Sequence, residues 1–441
     1  MIKFPNDVRR ILTTLQNKGL EGYAVGECVR DSICGLKPTD WDIATNADID
    51  ALKELFPEAE VISEKYQVVR MPFVETKTDP ETGEEYEEGI VVDVARYRES
   101  TIYLDGRKQD EVVFSNTIED DLKRRDFTIN AMADNGIRFV DPYAAKTDTA
   151  NKIIKTIGNA DESFKDNPIR MLKAIHISAD LGFDLSKQVF EAITGNYRLI
   201  NKIPMDKFRD EFTDIMSAAH AGKGFSLIMD TGLINLVLDD KSVKHLTNRE
   251  KSDLMMLSEN IDRSKQIPER RLGLFYSAIN KRKGIPSIEK FGFDEFTTAC
   301  LIDAVKDLPR LYFCSQENQL KKFVYEHGWD RSNYLLNLEK AQRIVFNLDS
   351  QMRIEGRAYF LREIANKNEP IFPEDLAIDA NDLIEAGICD DVESAKDMLK
   401  RLVEACHNKP QLNVREQLIA KAKKFKKNKI ASYFRRIDWL H

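Results

Sequence analysis

The sequence predicts an α+β protein, in which a head of mixed strands and helices precedes a long all-α remainder. Short apolar or alternating runs typical of strands occur before Val140 and nearly vanish after it. From Asn116 onward, apolar residues recur mainly at helical spacing. The length of 441 residues is typical of roughly two to four domains rather than of one core.

The composition is that of a soluble globular protein, with 42% hydrophobic and 32% charged residues. The chain has no run of about 18 apolar residues, and its first residues lack the apolar core of a secretory signal. Its six cysteines lack C-x-x-C spacing, and its six histidines form no HD or HExxH pair. These features predict a cytoplasmic protein without a disulfide framework, a zinc site or a metal-hydrolase module. The net charge of −8 does not by itself favour a polyanionic partner, for which local basic clusters matter more.

Five elements are predicted before Pro57 from apolar spacing and turn residues. Gly26 permits a tight turn between the first strand and the following helix, which Gly35 ends. The elements are a helix over Asn6–Lys18, a strand over Gly22–Val25, a helix over Cys28–Cys34, a strand over Asp40–Ala44, and a helix over Ala47–Phe56 with Asn46 as its cap.

The second predicted strand carries two carboxylates. Because side chains at i and i+2 share a face of a strand, Asp40 and Asp42 point the same way while Trp41 packs behind. Carboxylates held side by side repel each other unless a divalent cation lies between them. The turn at Gly26 and the helix after it offer backbone N–H groups to a phosphate. Together these features indicate a site for a metal and a nucleoside triphosphate, whereas a solvated pair of acids is the alternative.

The rest of the head supplies further strands and two polar segments. Glu60–Phe73 alternates enough for one or two strands, and Ile90–Tyr97 is a strand that carries Asp93. The acidic segment Thr76–Gly89 has turn signals and is predicted to be a solvated hairpin loop. Ser100–Gln109 is also polar and contains a turn signal.

The stretch from Gly26 to Asn46 resembles the first signature of the nucleotidyltransferase superfamily, in particular of CCA-adding tRNA nucleotidyltransferases and bacterial poly(A) polymerases. That signature reads roughly G-G-x-V-R-D, a spacer, then D-x-D-I-A-T. The departure is Glu27, where the family usually has a second glycine, and a carboxylate there repels a triphosphate unless it turns away. The matching residues are Gly26, Val29, Arg30, Asp31, Asp40, Asp42, Ile43, Ala44 and Thr45.

A second signature, Arg124–Ala133, matches the family pattern R-R-D-F-T-x-N-A-x-A. Arg125 offers a fork of donors for phosphate oxygens, and Asp126 can accept hydrogen bonds from ribose hydroxyls. We expect a helix here, on which Asn130 shares a face with Asp126 and reaches the sugar or the triphosphate. The resemblance also implies a third carboxylate at Asp93, and a nucleotide-switching role for the mobile loop after that strand.

A third signature, Asp166–Ala174, resembles the family pattern E-D-x-x-R, whose Asp and Arg read the Watson–Crick edge of the base. Here Asn167 replaces the Asp, Arg170 is retained, and Lys173 and His176 replace later arginines. An amide still accepts from the exocyclic amine of C or A, but its NH₂ can donate to U or G. Asn167 as a helix cap before Pro168, without a role in base reading, is the alternative. His176 is interpreted as a packed helix residue.

The C-terminal end combines a weaker resemblance with a basic run. Lys409–Leu418 resembles the family segment P-x-x-N-x-R-E-x-L, and the chain beyond it carries many basic residues and few acidic ones. Contact with tRNA phosphates and a solvated helix end are the two interpretations. The residues predicted to bind RNA are Lys423, Lys424, Lys426 and Lys427.

The resemblance implies a catalytic head over residues 1–141, a base-reading neck over 142–205, a body over 206–330 and a tRNA-binding tail over 331–441. It implies addition of C, C and A to the tRNA 3′ end from CTP and ATP, with the acceptor and T arms as contacts. Asp40 and Asp42 would hold Mg²⁺, and Gly26, Arg30 and Arg125 would bind the triphosphate. No membrane and no protein partner is predicted. The alternatives are a partial CC- or A-adding enzyme, a poly(A) polymerase, and a catalytically weakened RNA-binding homologue.

Overall fold

The computed structural model describes residues 2–38, 40–78, 85–104, 108–349 and 351–437. The chain divides into two compact units, Met1–Leu236 and Val237–His441. The finer division into head, neck, body and tail stays a prediction.

A seven-stranded sheet, in the order β3-β4-β5-β2-β1-β8-β9, is the centre of the N-terminal unit. Two further pairs, β6-β7 and β10-β11, form small sheets of their own. The strands are β1 (Gly22–Val25), β2 (Asp40–Thr45), β3 (Glu60–Ser63), β4 (Val68–Thr78), β5 (Glu85–Arg96), β6 (Arg98–Leu104), β7 (Lys108–Phe114), β8 (Ala133–Asp134), β9 (Phe139–Val140), β10 (Ile153–Ile154) and β11 (Asp184–Leu185).

The pairing of β2 with β5 is parallel and places Asp42 directly beside Asp93. The other pairs of the large sheet are antiparallel. Alternation along β2 buries Trp41 in the core and leaves Asp40 and Asp42 exposed on the opposite face, as predicted. The sheet thus has one face for the core and one face for the carboxylates.

The helices of this unit follow the predictions closely at its start. The first two helices match them, and Gly35 ends the second with a left-handed φ of 77°. The helices are α1 (Asn6–Asn17), α2 (Glu27–Cys34), α3 (Ile49–Leu55), α4 (Ile118–Lys123), α5 (Ala145–Ala150), α6 (Ala160–Asp166), α7 (Ile169–Leu181), α8 (Lys187–Asn196), α9 (Met205–Ser217), α10 (Ala221–Asp230) and α11 (Ile234–Val237).

The predicted start and the predicted cap of the third helix are wrong. The third helix begins at Ile49 and is capped by Asp48, whose carboxylate accepts from the Ala51 N–H. Asn46 is not the cap, because its Oδ1 accepts from the Glu21 N–H at 2.8 Å and ties two loops together.

The two polar segments of the head contain more strand than expected. The acidic segment 76–89 continues the β4-β5 pairing through Thr78 and Glu85, so only residues 79–84 lie outside the described residues. The segment 100–109 falls in the β6-β7 hairpin, apart from residues 105–107, which are not described. Short strands also interrupt the expected helical run after Asn116, since β8 to β11 follow it.

The C-terminal unit is helical throughout its described residues. In its longest helix, Gly328 has a non-helical φ of 78°, which kinks the chain next to His327. The helices are α12 (Asp240–Lys244), α13 (Asn248–Asn260), α14 (Pro268–Ser277), α15 (Lys281–Phe291), α16 (Glu295–Lys306), α17 (Leu308–Leu311), α18 (Glu317–Val345), α19 (Gln351–Asn366), α20 (Ala380–Glu385), α21 (Val392–Asn408) and α22 (Arg415–Ile437). Among the described helices of both units, none has the length and apolarity needed to cross a membrane.

Candidate active site

A polar cleft of about 320 Å³ opens in the N-terminal unit beside the carboxylate face of the sheet. It brings together residues of all three sequence signatures, which extend from Glu27 to Lys173 along the chain. Its walls are Glu27, Asp42, Arg124, Arg125, Asp126, Asn130, Asn167, Arg170 and Lys173.

The three carboxylates predicted to be catalytic share one face of the sheet. Desolvation within the cleft, and then repulsion by Asp93, Glu27 and Asp40, raise the pKa of Asp42 although solvent still reaches its side chain. Asp93 differs from the other two because Arg70, its cross-strand neighbour on β4, donates to both of its oxygens at 2.7 and 2.8 Å. This fork fixes the orientation of the Asp93 carboxylate.

The turn at Gly26 is shaped to receive the Arg125 side chain. Gly26 has φ 80° and ψ −137°, a conformation that favours glycine, and a Cβ there would lie 2.7 Å from Arg125 Nη1. The same Cβ would lie 3.8 Å from Asp42 Oδ2. The guanidinium of Arg125 and the carboxylate of Asp42 therefore meet at the start of α2, and Arg125 opposes the rise in the pKa of Asp42.

Asp121, which the sequence interpretation missed, anchors the two arginines of the second signature. It is fully buried, and its oxygens accept from Arg124 at 2.6 Å and from Arg125 at 3.1 Å. Burial alone would raise the pKa of Asp121, but Arg125 and Arg124 outweigh it and the net shift is downward. The i,i+3 and i,i+4 spacing from Asp121 was the signal that could have identified it.

The second signature does not form the predicted helix. Only Thr128–Asn130 makes a short 3₁₀ turn, because Phe127 bridges to Thr156 in an extended conformation. Asp126 and Asn130 nevertheless line the same cleft. The prediction that they share a helix face is wrong, and the cleft is instead assembled by a turn.

Arg30 lies behind the cleft wall rather than on it. Its side chain is buried and donates to Asn130 Oδ1 at 2.9 Å and to Asp31 Oδ1 at 2.8 Å. The predicted direct contact of Arg30 with a triphosphate therefore does not fit this arrangement. Because Arg30 donates to the oxygen of Asn130, it orients that amide. The NH₂ of Asn130, which makes no hydrogen bond to a described residue, can then donate to a ligand in the cleft.

The third signature supplies Asn167, Arg170 and Lys173 to the wall of the cleft. Arg170 donates to Ser163 Oγ at 3.0 Å and to the Arg124 carbonyl at 3.4 Å, so one guanidinium joins two signatures. Asn167 makes no side-chain capping bond to α7, so its predicted role as a helix cap is wrong. Gly182 ends α7 as expected, with φ 69°. Lys173, one turn after Arg170, is exposed in the cleft.

His176 and the basic residues of α22 lie outside the cleft. His176 bridges Asp180 and Glu211 at 3.2 and 3.0 Å and lines no part of the cleft, in agreement with a packed helix residue. On α22, Lys423, Lys424 and Lys427 are exposed, and Lys426 donates to the Gly387 carbonyl at 3.1 Å. Their contact with RNA stays a prediction.

A second group of potential metal ligands lies in the C-terminal unit, at Asp303, Asp307 and His327. Arg331 donates to both oxygens of Asp303 at 2.5 and 2.6 Å, and Arg310 donates to Asp307 at 2.7 Å. Because both carboxylates are already neutralised by guanidinium groups, this cluster does not fit a cation.

Two segments of the chain, which lie mostly in the N-terminal unit, match known family models. Residues 22–155 match the family model described as "Poly A polymerase head domain". Residues 182–242 match the model described as "Probable RNA and SrmB- binding site of polymerase A". The CCA-adding enzyme of Lactobacillus helveticus (strain DPC 4571) is 32% identical over 237 residues, and that of Streptococcus pyogenes serotype M2 is 27% identical over 347 residues.

The chain is therefore similar to CCA-adding enzymes, and its first part is similar to the head domain of poly(A) polymerases.

The extent of these matches differs between relatives. The Lactobacillus match covers 54% of this chain and 56% of the relative, so it spans about half of each protein. The Streptococcus match covers 77% and 79%. The first two sequence signatures lie within residues 22–155 and the third lies just beyond, and residues of all three line the cleft.

Solved structures of CCA-adding enzymes share the fold. The Bacillus stearothermophilus CCA-adding enzyme in complex with CTP superposes with a TM-score of 0.74 at 21% identity, over 96% of this chain and 98% of that one. A CCA-adding enzyme in complex with ATP gives a TM-score of 0.63 at 18% identity, over 95% of each chain. The prediction of a nucleotidyltransferase-type sheet followed by helices is thus confirmed.

Proposed function

We propose that this protein adds C, C and A to the 3′ end of tRNA, using CTP and ATP and no nucleic acid template. The observation that supports it best is that Asp42, Asn167 and Arg170 line one cleft, since a carboxylate suited to bind a metal then shares a space with two side chains suited to read a base edge. A tRNA acceptor implies reaction in the cytoplasm.

Asp40 and Asp42 are suited to hold Mg²⁺. They lie on one strand face, repulsion by Asp40 contributes to the raised pKa of Asp42, and neither makes an ion pair with a described residue. When bound, the cation lowers the pKa of the attacking 3′-hydroxyl and neutralises the triphosphate. Asp93, oriented by Arg70, completes the acidic face without being free to rotate.

The remaining residues bind and orient the nucleotide. Arg125 and the N–H groups at the Gly26 turn receive the triphosphate, while Asp126 accepts from ribose hydroxyls. Asn130, held by Arg30, donates its amide to the sugar or phosphate. The incoming base faces Asn167 and Arg170, with Lys173 beside them, and the 3′-hydroxyl attacks the α-phosphate in line while pyrophosphate leaves.

Single-nucleotide extension tests this function. tRNA transcripts that end before CCA, after C and after CC are incubated with Mg²⁺ and one of ATP, CTP, UTP or GTP. We expect ordered incorporation of C, C and A followed by arrest. Incorporation of only CC, only A or a run of A would instead assign one of the partial activities. No incorporation in any reaction would refute the proposal.

A catalytically weakened RNA-binding protein is the second candidate, and one observation favours it. Glu27 lies on the cleft wall with 65% of its side chain exposed, and it contributes to the raised pKa of Asp42. It therefore does not turn away from the triphosphate position. Metal-dependent turnover of CTP or ATP with any RNA primer would exclude this candidate.

A further inference from the structure

A second cavity, of about 300 Å³, lies against the same face of the sheet. It shares Asp42, Arg124 and Arg125 with the nucleotide cleft and adds Asp93 and Arg98. Residues of β1, β2, β4 and β5 supply an apolar floor. Two spaces, each large enough for part of a nucleotide, therefore share the carboxylate of Asp42.

The wall of this cavity carries more positive charge than its neighbours neutralise. Arg98, Arg124 and Arg125 surround the buried carboxylate of Asp121, which accepts hydrogen bonds from the side chains of the last two. Asp42 offsets part of the charge of Arg125. Of Arg98, only the backbone N–H donates to Asp121, at 3.2 Å. Its guanidinium hydrogen-bonds to no residue that the structure describes, and its Nε is buried.

Other interactions of Arg98 leave its charge available. Its guanidinium lies 5.3 Å from the ring centre of Tyr66, and desolvation followed by repulsion from Arg124 lowers its pKa to about 10. At neutral pH it therefore remains a cation that an anion would stabilise. Asp93, which also lines this cavity, is already neutralised by Arg70.

The chemistry of nucleotide transfer requires a second binding space of this kind. An in-line displacement places the attacking hydroxyl and the departing pyrophosphate on opposite sides of the α-phosphorus. The base-reading residues Asn167 and Arg170 lie in the first cleft, so the strand that supplies the hydroxyl needs its own approach to Asp42. A nucleotide in that approach carries one phosphodiester on its 5′ side.

We propose that the second cavity binds the terminal nucleotide of the acceptor RNA, and that Arg98 contacts the phosphate on the 5′ side of that nucleotide. This inference rests on the proposed function. It assigns a role to Arg98, which follows from none of the three sequence signatures.

Steady-state kinetics of Arg98→Gln test the assignment, with Arg98→Lys as the conservative variant. Arg96→Gln is the matched control, because Arg96, the last residue of β5, donates to Gln67 and lines neither cavity. We expect Arg98→Gln to raise the KM for acceptor RNA about tenfold, with kcat and the KM for CTP within about twofold of wild type. Arg98→Lys should recover part of the loss. A raised KM for CTP with an unchanged KM for RNA would assign Arg98 to the triphosphate and overturn the proposal.

A neutral phosphate analogue shows which linkage is contacted. An acceptor with a methylphosphonate on the 5′ side of its last nucleotide should weaken wild type about as much as Arg98→Gln does. The two changes together should cost no more than either alone, since both remove the same contact. Multiplicative losses would show that Arg98 contacts something else.

Binding separates this inference from the proposed function. If the wild-type protein extends no tRNA, the function fails, but fluorescence anisotropy with a labelled RNA hairpin ending in CC still measures the contact. A tenfold weaker Kd for Arg98→Gln, equal to that for the methylphosphonate hairpin, would support the cavity assignment. Equal affinities of the wild type and Arg98→Gln would refute it.

Discussion

Two carboxylates on the sheet face of the N-terminal unit and two buried carboxylates of the C-terminal unit have opposite environments. In the N-terminal unit, Asp40 and Asp42 lie on one strand face and make no ion pair with any described residue, and repulsion contributes to the raised pKa of Asp42. In the C-terminal unit, the buried Glu339 is paired with Arg357. Asp303 is likewise paired with Arg331, which donates to both of its oxygens.

This difference distinguishes carboxylates that are available to bind a ligand from carboxylates that stabilise the fold through ion pairs. Unpaired carboxylates that repel each other cost folding free energy, and their retention at a cleft indicates a ligand that compensates them. Buried carboxylates with guanidinium partners stabilise the fold only while both partners remain. Substitutions on the two sides should therefore affect activity and stability in opposite proportions.

The largest expected effect is on activity at Asp42. Asp42→Asn should lower kcat for CTP incorporation at least about 1000-fold, or roughly 4 kcal/mol, because the cation ligand is lost. The melting temperature should stay the same or rise, since a repulsive charge disappears. Single-turnover extension and thermal unfolding of the same preparation measure both. A folded, active Asp42→Asn protein would contradict the assignment of the site.

The converse substitution lies in the C-terminal unit. Glu339→Gln leaves Arg357 buried without its counter-charge and should lower the free energy of unfolding by about 3 kcal/mol. Turnover of CTP at a temperature where the variant is folded should change little. Urea unfolding followed by tryptophan fluorescence checks this, with Glu355→Gln on the exposed part of α19 as a control. An unchanged unfolding midpoint would remove the distinction between the two classes of acid.

The ion pairs of His176, which lies in the N-terminal unit but outside the cleft, should make the stability of the protein depend on pH. Burial opposes protonation of His176, but its hydrogen bonds to the Asp180 and Glu211 carboxylates raise its pKa to about 10. Because the folded pKa lies above the unfolded value of about 6.5, its stabilisation is complete below pH 6.5 and is lost as pH rises through about 10. We expect a loss of about 2 kcal/mol in wild type over this range. Glu211→Gln should flatten that dependence in melting curves recorded from pH 6 to 10.5.

Base reading provides a smaller, selective effect. Asn167→Asp removes the amide NH₂ that can donate to uracil or guanine, and should reduce misincorporation of U relative to C about tenfold, or roughly 1.4 kcal/mol. Competition of CTP with UTP on one acceptor measures the ratio. Equal ratios for both proteins would show that Asn167 does not face the base.

The smallest effect concerns the acid that departs from the family pattern. Glu27→Gln removes a charge from the triphosphate side of the cleft while keeping the side-chain shape, and should lower the KM for CTP about fivefold, or roughly 1 kcal/mol. The effect should shrink as ionic strength rises, because the side chain is largely exposed. A higher KM in the variant would show that Glu27 assists binding, and would bring it closer to Asp40 and Asp42 in role.

Local chemistry in the sequence determined the frame of the site. The strand–turn–helix–strand around Gly26, the shared face of Asp40 and Asp42, and the helix ended by Gly182 all follow from short-range spacing and from glycine conformation. Such features depend on neighbours within a few residues, so they can be predicted before any fold is known.

Only the tertiary structure decided which partners these residues meet. Strand register places Arg70 on Asp93, burial turns Arg30 inward to Asn130, and the second signature forms a turn where its spacing predicted a helix. The tertiary structure also places Arg98 in the lining of a second cavity. These outcomes depend on the free energy of contacts between segments that are distant in sequence. A local sequence pattern does not reveal which of those contacts form.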